Sequence, residues 1–305
     1  MGRPVTSLPE LTTTLLAKGP YARGDAPFAA LDLTGPDAGE FLQRLCSQDV
    51  QALGQGGVAP AAFLDAKGKV QATCLVTGGG ERFVLEVPQE QLDRLAALLD
   101  RYHFSERLTM RARPPGPCRE RIEPAVGDGV AAARSSESGL VVRFARRGVQ
   151  FTRSHGEGVS LEGASVDGAP LDAARAECLR MAAGFVRVGV ETEAATLALE
   201  ADLDDHCSTT KGCYTGQEIV ARIHTYGHVN RRLRLLRLPD GPSIDAPVQL
   251  VEPDDGVPVG RVMRAVPAPG LGFRVGLGYL PKDFQAVGTR LAFAEGGGEV
   301  VVAGW

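Results

Sequence analysis

A thiol, an aromatic ring and a cation lie close together in the segment 211–218, which reads K-G-C-Y-T-G-Q-E. Glycines flank the pair Cys213 and Tyr214, and a helix is predicted from about Gly216, so the thiol should lie on a turn just before a helix N-terminus. Unpaired N–H groups at such a terminus carry positive potential, and Lys211 adds a charge nearby. Both influences favour the thiolate form of a cysteine. We therefore predict a reactive thiol at Cys213.

The same segment offers groups that match a flat heterocycle. Tyr214 has an aromatic face, while Gln217 and Glu218 supply an amide and a carboxylate suited to the hydrogen-bonding edge of a pterin. A structural alternative stays open, in which Cys213 is a small core residue, Tyr214 packs in the interior and the glycines only start a helix.

The elements that must position this segment follow from hydrophobic periodicity and turn residues. Strands are predicted at 29–33, 61–64, 70–77, 82–87 and 108–112, with helices after 35–36 and over 89–101. Prolines within 113–117 mark an internal boundary, because proline continues neither a helix nor a sheet ladder. Further helices are predicted at 171–183 and 216–226, and short β-type runs after Pro239 predict a small barrel or sandwich.

Composition and charge narrow the class of protein. The 305 residues exceed the usual size of one domain, and 44% hydrophobic with 23% charged residues is ordinary for a folded chain. A formal charge of −4 disfavours stable nucleic-acid binding, and no apolar run long enough for a membrane span or a secretory signal is present. We therefore expect a cytoplasmic location. The six cysteines show no metal-binding spacing, so we expect reduced thiols and no metal site.

The octapeptide and the following 219–222, I-V-A-R, closely resemble the signature of the YgfZ family, folate-binding proteins with the fold of the glycine-cleavage T-protein. The resemblance extends to Arg180, Gly184 and Glu200, and to the stretches 35–37, 48–50, 65–68 and 228–233. It implies an α+β protein, a T-protein-like three-domain clover-leaf with two α+β units and a C-terminal small β-barrel. The expected division is 1–113, 114–238 and 239–305. The second unit contains the segment 211–218, called the cysteine loop below, and the third is the barrel.

The resemblance also implies a ligand and a role. Tetrahydrofolate is expected in a central channel with the cysteine loop at its mouth. The site residues carried over from the family signature are Lys211, Tyr214, Gln217, Glu218, Arg222, Arg180 and Glu200. The implied role is an accessory one in assembly or repair of iron–sulfur clusters, including those of enzymes that thiolate tRNA, with Cys213 as the key thiol. Expected partners are folate, iron–sulfur assembly proteins and cluster-containing client enzymes.

Two departures from the family pattern leave other functions open. Ala182 replaces a glutamate that grips the pterin, which favours a scaffold without folate unless Glu177 lies on the same helix face. Gln71 and Ala72 stand where aminomethyltransferases carry an aspartate that positions the folate amine, so a classical transferase is not expected. A tetrahydrofolate-dependent aminomethyltransferase or demethylase remains the enzymatic alternative.

Overall fold

The computed structural model describes residues 7–114, 116–126, 131–157, 165–227 and 229–305. Two residues of the predicted segments, Pro115 at the internal boundary and His228 in the stretch 228–233, lie outside the described residues. The described helices are α1 Leu8–Leu15, α2 Ala38–Leu45, α3 Leu92–Asp100, α4 Ala173–Ala182 and α5 Gln217–Tyr226. The strands are β1 Tyr21–Arg23, β2 Phe28–Thr34, β3 Val58–Leu64, β4 Val70–Gly79, β5 Arg82–Pro88, β6 Thr109–Ala112, β7 Cys118–Pro124, β8 Ala132–Ser135, β9 Gly139–Arg146, β10 Val149–Gly156, β11 Ala169–Pro170, β12 Arg231–Pro239, β13 Val248–Val251, β14 Pro258–Pro267, β15 Phe273–Pro281, β16 Arg290–Phe293 and β17 Glu299–Gly304. Short 3-10 turns lie at Gln89–Gln91, Asp204–His206 and Lys282–Phe284.

The strands form two open sheets and one closed barrel. The first sheet has the order β3-β4-β5-β2-β6, and the second has the order β11-β1-β7-β10-β9-β8. The strands β12-β15-β14-β13-β16-β17 close into a barrel. The α+β class with a C-terminal barrel is therefore confirmed.

In two places a strand belongs to the sheet of a different unit from the one that the predicted boundaries at 113 and 238 assign to it. Strand β1 pairs with β7 in the second sheet, and α1, for which no helix is predicted above, packs against α4. Strand β12 pairs with β15 and β17, so residues 231–239 belong to the barrel sheet, although the predicted division assigns most of them to the second unit. Local periodicity shows that a strand exists but not which sheet it joins. The boundaries themselves stay predictions.

Both faces of the first sheet are covered. Helices α2 and α3 bury one face, where Leu31, Phe41 and Leu95 belong to one hydrophobic cluster. The other face packs on the second sheet, where Val84 of β5 and Val142 of β9 share a cluster. A further cluster joins α4 to the barrel. None of the helices in the described residues is both long enough and apolar enough to cross a membrane.

The hairpin between β3 and β4 packs directly on the start of α5. Gly216 has a positive φ of 83°, and a Cβ atom added there would lie 2.6 Å from the carbonyl oxygen of Asp65. Gly68 at the hairpin tip has a φ of 73°, and its added Cβ would lie 2.8 Å from Cβ of Ile219. Glycine is required at both positions because a side chain would separate the two segments. The hairpin and the cysteine loop, far apart in sequence, thus meet in one place.

Replacing Gly216 tests this close approach. Gly216→Ala should lower the free energy of unfolding by about 1–3 kcal/mol, since the left-handed backbone is costly for alanine and the added methyl group has no room. Urea denaturation measures the change. Gly212→Ala is the matched control, because a Cβ there meets no atom within 4 Å, and it should change stability by less than about 0.5 kcal/mol. Equal stability of the two variants would contradict the packing described.

Candidate functional site

Lys211 ties the cysteine loop to the first α+β unit. Its side chain is buried, and Nζ donates hydrogen bonds to the carbonyl oxygens of Gln43, Cys46 and Gln48 at 2.7, 2.8 and 2.9 Å. These carbonyls lie at and just after the C-terminus of α2, where a helix has unpaired acceptors and favours a cation. Burial lowers the pKa of Lys211. Since all three N–H donors are used, Lys211 is an anchor in this structure and does not point a free charge at a ligand.

Tyr214 and Cys213 lie differently although they are neighbours. Tyr214 is 7% exposed, its hydroxyl donates to the carbonyl oxygen of Ser208 at 3.3 Å, and its ring centre lies 4.9 Å from Nζ of Lys211. Burial raises the pKa of Tyr214. Its aromatic ring is therefore used in packing. Of the six cysteines, all of which the structure describes, Cys213 alone is exposed, which gives its thiol the access that a reaction needs.

The remaining predicted residues of this region gather around α5. Gln217 accepts a hydrogen bond from the backbone N–H of Tyr214 at 3.3 Å and so helps to close the turn, whereas Glu218 and Arg222 are exposed. Glu200 accepts from the N–H of Leu197 and lines a shallow groove together with Arg222. These side chains form a surface beside the cysteine loop. Their role as folate ligands stays a prediction.

A separate central cavity lies where the two sheets meet α4, with an empty volume of about 840 Å³ that includes its open mouth. Arg180 is the predicted site residue that lines it, and the segment 211–218 does not. The side chains that give the cavity its chemistry are three phenylalanines, four arginines, four glutamates, a threonine and a histidine: Phe28, Phe151, Phe185, Arg23, Arg153, Arg180, Arg187, Glu86, Glu90, Glu120, Glu177, Thr73 and His206.

One face of α4 supplies the cavity wall. Ala173, Ala176, Glu177 and Arg180 line the cavity at helical spacing. Ala182 does not line it, because it is buried on another face and its carbonyl oxygen accepts a hydrogen bond from Nε1 of Trp305. The carboxylate of Glu177 therefore lies on the cavity face of α4. It stands just over one turn before Ala182, the position at which the family pattern expects a glutamate.

Arginines surround the carboxylate of Glu177. It pairs with Arg180 at 2.8 Å and with Arg264 of the barrel at 3.0 Å. Burial opposes its ionisation, but these arginines outweigh burial and lower the pKa of Glu177 to about 2. Glu177 is thus ionised at neutral pH and neutralised by these arginines, and its pair with Arg264 connects α4 to the barrel.

Sequence reasoning missed a buried ion-pair network whose members include residues of the cavity lining. Arg153 lies between Glu86 at 2.7 Å and Glu120 at 2.8 Å, and its guanidinium lies 3.5 Å from the ring centre of Phe28. Nε2 of His155 lies 2.6 Å from Glu86. These residues come from β2, β5, β7 and β10, so no local spacing connects them. A charged residue inside an apolar strand, as in F-T-R at 151–153, is the one signal that could have indicated a buried pair.

Comparisons with known proteins bear on the family likeness and on the fold. No family model matches the chain. The tRNA-modifying protein YgfZ of Yersinia pestis is 24% identical over 245 residues, which are 72% of this chain and 74% of that protein. The chain resembles YgfZ. The likeness to YgfZ that the octapeptide predicts is thereby confirmed.

Two further relatives extend the likeness beyond YgfZ. A putative chloroplastic transferase of Arabidopsis thaliana is 35% identical over 97 residues, which cover 32% of this chain but only 22% of that protein. The crystal structure of the glycine cleavage system aminomethyltransferase T from Bartonella henselae matches with a TM-score of 0.71 and 16% identity. That match covers 96% of this chain and 88% of the other, so this YgfZ-like chain has the T-protein fold.

The buried carboxylate Glu86 makes stability depend on pH. Burial opposes its charge, but Arg153 and His155 lower the pKa of Glu86 to about 2. Because an unfolded glutamate has a pKa of about 4.3, the ion pair stabilises the fold above that pH and is lost as pH falls toward 2. The expected loss is about 3 kcal/mol over this window.

Urea denaturation between pH 6 and pH 2.5 tests this dependence. Glu86→Gln should be less stable than the wild type at pH 6, because it leaves Arg153 without one partner, yet it should change less as the pH falls. Parallel stability curves for the two proteins would show that Glu86 is not the group that titrates.

Proposed function

We propose that this chain is a folate-binding accessory protein of YgfZ type, which supports iron–sulfur enzymes such as those that thiolate tRNA and uses Cys213 as its working thiol. The printed name of the Yersinia relative, a tRNA-modifying protein, supports the connection with tRNA. The observation that carries the proposal is the central cavity, because its aromatic rings and charged pairs suit a reduced folate. Its partners are folate, iron–sulfur assembly proteins and cluster-containing client enzymes.

The cavity residues fit tetrahydrofolate on chemical grounds. Phe151 and Phe185, with ring centres 5.3 Å apart, provide apolar surface for a flat ring system. The oxygens of Glu177 already accept from Arg180 and Arg264, but a carboxylate has further acceptor sites for the N–H groups of a pterin, which supports folate binding despite Ala182. Arg187, whose side chain is 29% exposed, suits the carboxylates of a glutamate tail at the rim. These features favour a folate protein over a scaffold without folate.

The start of β4 favours an accessory role over aminomethyl transfer. Ala72 is fully buried and has no carboxylate to position an amine. The nearby Asp65 accepts hydrogen bonds from the backbone N–H groups of Lys67 and Lys69 at 2.8 and 2.9 Å, so it closes the hairpin turn. An acid–base group for the transferase reaction is therefore not supplied by this hairpin.

Cys213 suits a role in contact with another protein. Its thiol is exposed, and the residues on both sides of the exposed pair 212–213 are fixed, since Lys211 is anchored on α2 and Tyr214 is buried. A thiol held in this way is accessible to a client protein or to a sulfur or iron donor. The loop does not have to become ordered when such a partner binds, which lowers the cost of binding. The proposal therefore assigns ligand binding to the cavity and partner chemistry to the loop.

Calorimetric titration with tetrahydrofolate tests the folate part of the proposal. The wild type should bind saturably. Ala173→Trp should weaken binding by about tenfold or more, equivalent to about 1.4 kcal/mol, because this exposed alanine lines the cavity and a large side chain would fill the rim.

Ala174→Trp is the matched control, because it changes the next residue of the same helix, which does not line the cavity, and it should bind as the wild type does. Absence of binding by the wild type would favour a scaffold without folate. Equal binding by both variants would place the folate elsewhere.

A further inference from the structure

The outer strand of the first sheet has an open edge. Within the described residues β6 pairs with β2 alone, and the N–H of Arg113 donates to the carbonyl oxygen of Ala30. Since backbone groups alternate in direction along an antiparallel strand, the N–H groups of residues 109 and 111 also point to β2. Those of Met110 and Ala112 therefore point away from the sheet. Two N–H and two C=O groups are available to a further strand.

A groove runs beside this edge, between β6 and α3. It is lined by apolar residues that include Leu31, Ala96 and Ala97, with Asp100 and His103 at the helix side. Met110 and Ala112 lie opposite Leu33 and Leu31 in the ladder, so they share the sheet face that α3 covers. A strand added to β6 would place every second side chain in this groove, where apolar side chains fit.

The other face of β6 favours acidic residues. Thr109 and Arg111 lie on this face, opposite Thr34 and Asp32. Asp32 is already paired with Arg82 and Arg113, and Arg111 is exposed with no ion pair among the described residues. A carboxylate placed across from Arg111 would form a favourable cross-strand pair.

Two exposed aromatic residues flank a groove residue in the sequence. Tyr102 and Phe104 are 40% and 85% exposed, and both are neighbours of the groove residue His103. Aromatic residues are enriched at protein interfaces, and large exposed ones beside an open strand edge are typical of an interaction surface.

A second copy of this chain fits the edge poorly. The antiparallel register that uses both Met110 and Ala112 of each copy places Arg111 directly opposite Arg111 of the other copy. Like charges in direct opposition are destabilising. The charge on the edge is complementary to an acidic strand and not to itself.

We infer that β6 is a docking site for an extended segment of a partner protein, which alternates apolar and acidic residues and adds to the first sheet as a sixth strand. Main-chain hydrogen bonds to Met110 and Ala112 hold the segment, as in other cases of strand addition. Its apolar side chains enter the groove on α3, and an acidic side chain pairs with Arg111. This surface is separate from the cavity and from Cys213, so the inference does not depend on the proposed function.

Fluorescence polarisation with a labelled, capped heptapeptide of alternating glutamate and valine tests the inference. The full chain should bind this peptide saturably and about fivefold more tightly than the peptide with lysine in place of glutamate, a ratio that one cross-strand charge pair can supply. Arg111→Glu should reverse the preference. Ala112→Pro removes an outward N–H and should weaken binding by about fivefold or more, whereas Ala112→Ser retains the N–H and should bind as the wild type does.

Several results would overturn the inference. Absence of peptide binding at millimolar concentration would do so, as would equal binding of the two peptides or equal binding by Ala112→Pro and Ala112→Ser. Sedimentation of the chain alone tests whether a second copy binds at the edge. If the chain forms a dimer and Ala112→Pro dissociates it, the edge is a self-association site and not a docking site for a partner. Circular dichroism of each variant, expected to match the wild type, ensures that a loss of binding reflects the edge and not unfolding.

Discussion

The ammonium group of Lys211 is the interaction on which the position of the cysteine loop depends. Its three hydrogen bonds join a loop of the second half of the chain to the end of α2 in the first unit. Without them, three carbonyl groups near a helix terminus would lose a buried donor, which costs about 1–3 kcal/mol for each group left unpaired. Tyr214 packs beside this anchor, and Gly216 allows the hairpin of the first sheet to approach. The exposed pair 212–213 lies between two buried residues, Lys211 and Tyr214.

Contacts between distant segments also form the central cavity. Its charged side chains come from distant strands and neutralise one another in pairs. Arg153 connects Glu86 and Glu120, while Glu177 connects Arg180 of α4 to Arg264 of the barrel. Each of these buried charges has a partner, which keeps the walls fixed before any ligand arrives. A preformed cavity reduces the ordering cost of binding. The same pairs hold the two sheets and the barrel around it.

The sequence was informative where the signal is local. The octapeptide predicted the likeness to YgfZ, and periodicity predicted most strands and the helices α2, α3, α4 and α5, because each pattern is contained in a few neighbouring residues. Side-chain type alone could not decide the use of Lys211 or Tyr214, since a lysine and a tyrosine serve equally well as ligands or as buried anchors. The anchoring of Lys211 on α2 depends on contacts more than 160 residues apart in the chain.

The cavity and the sheet to which each strand belongs were harder to predict from the sequence for the same reason. Glu86, Glu120 and Arg153 lie on different strands, so only the assembled sheets bring them together. Non-local pairing, and not weak local preference, limits what this sequence reveals.

Complementation of a strain that lacks the corresponding gene tests the central claim, that an anchored and exposed Cys213 performs the function. Thiolated nucleosides in the tRNA of that strain are quantified by mass spectrometry after expression of the wild type, Cys213→Ser or, as a matched thiol control, the buried Cys178→Ser at equal protein abundance. The account predicts restoration by the wild type and by Cys178→Ser, and little or no restoration by Cys213→Ser. Full restoration by Cys213→Ser would contradict it.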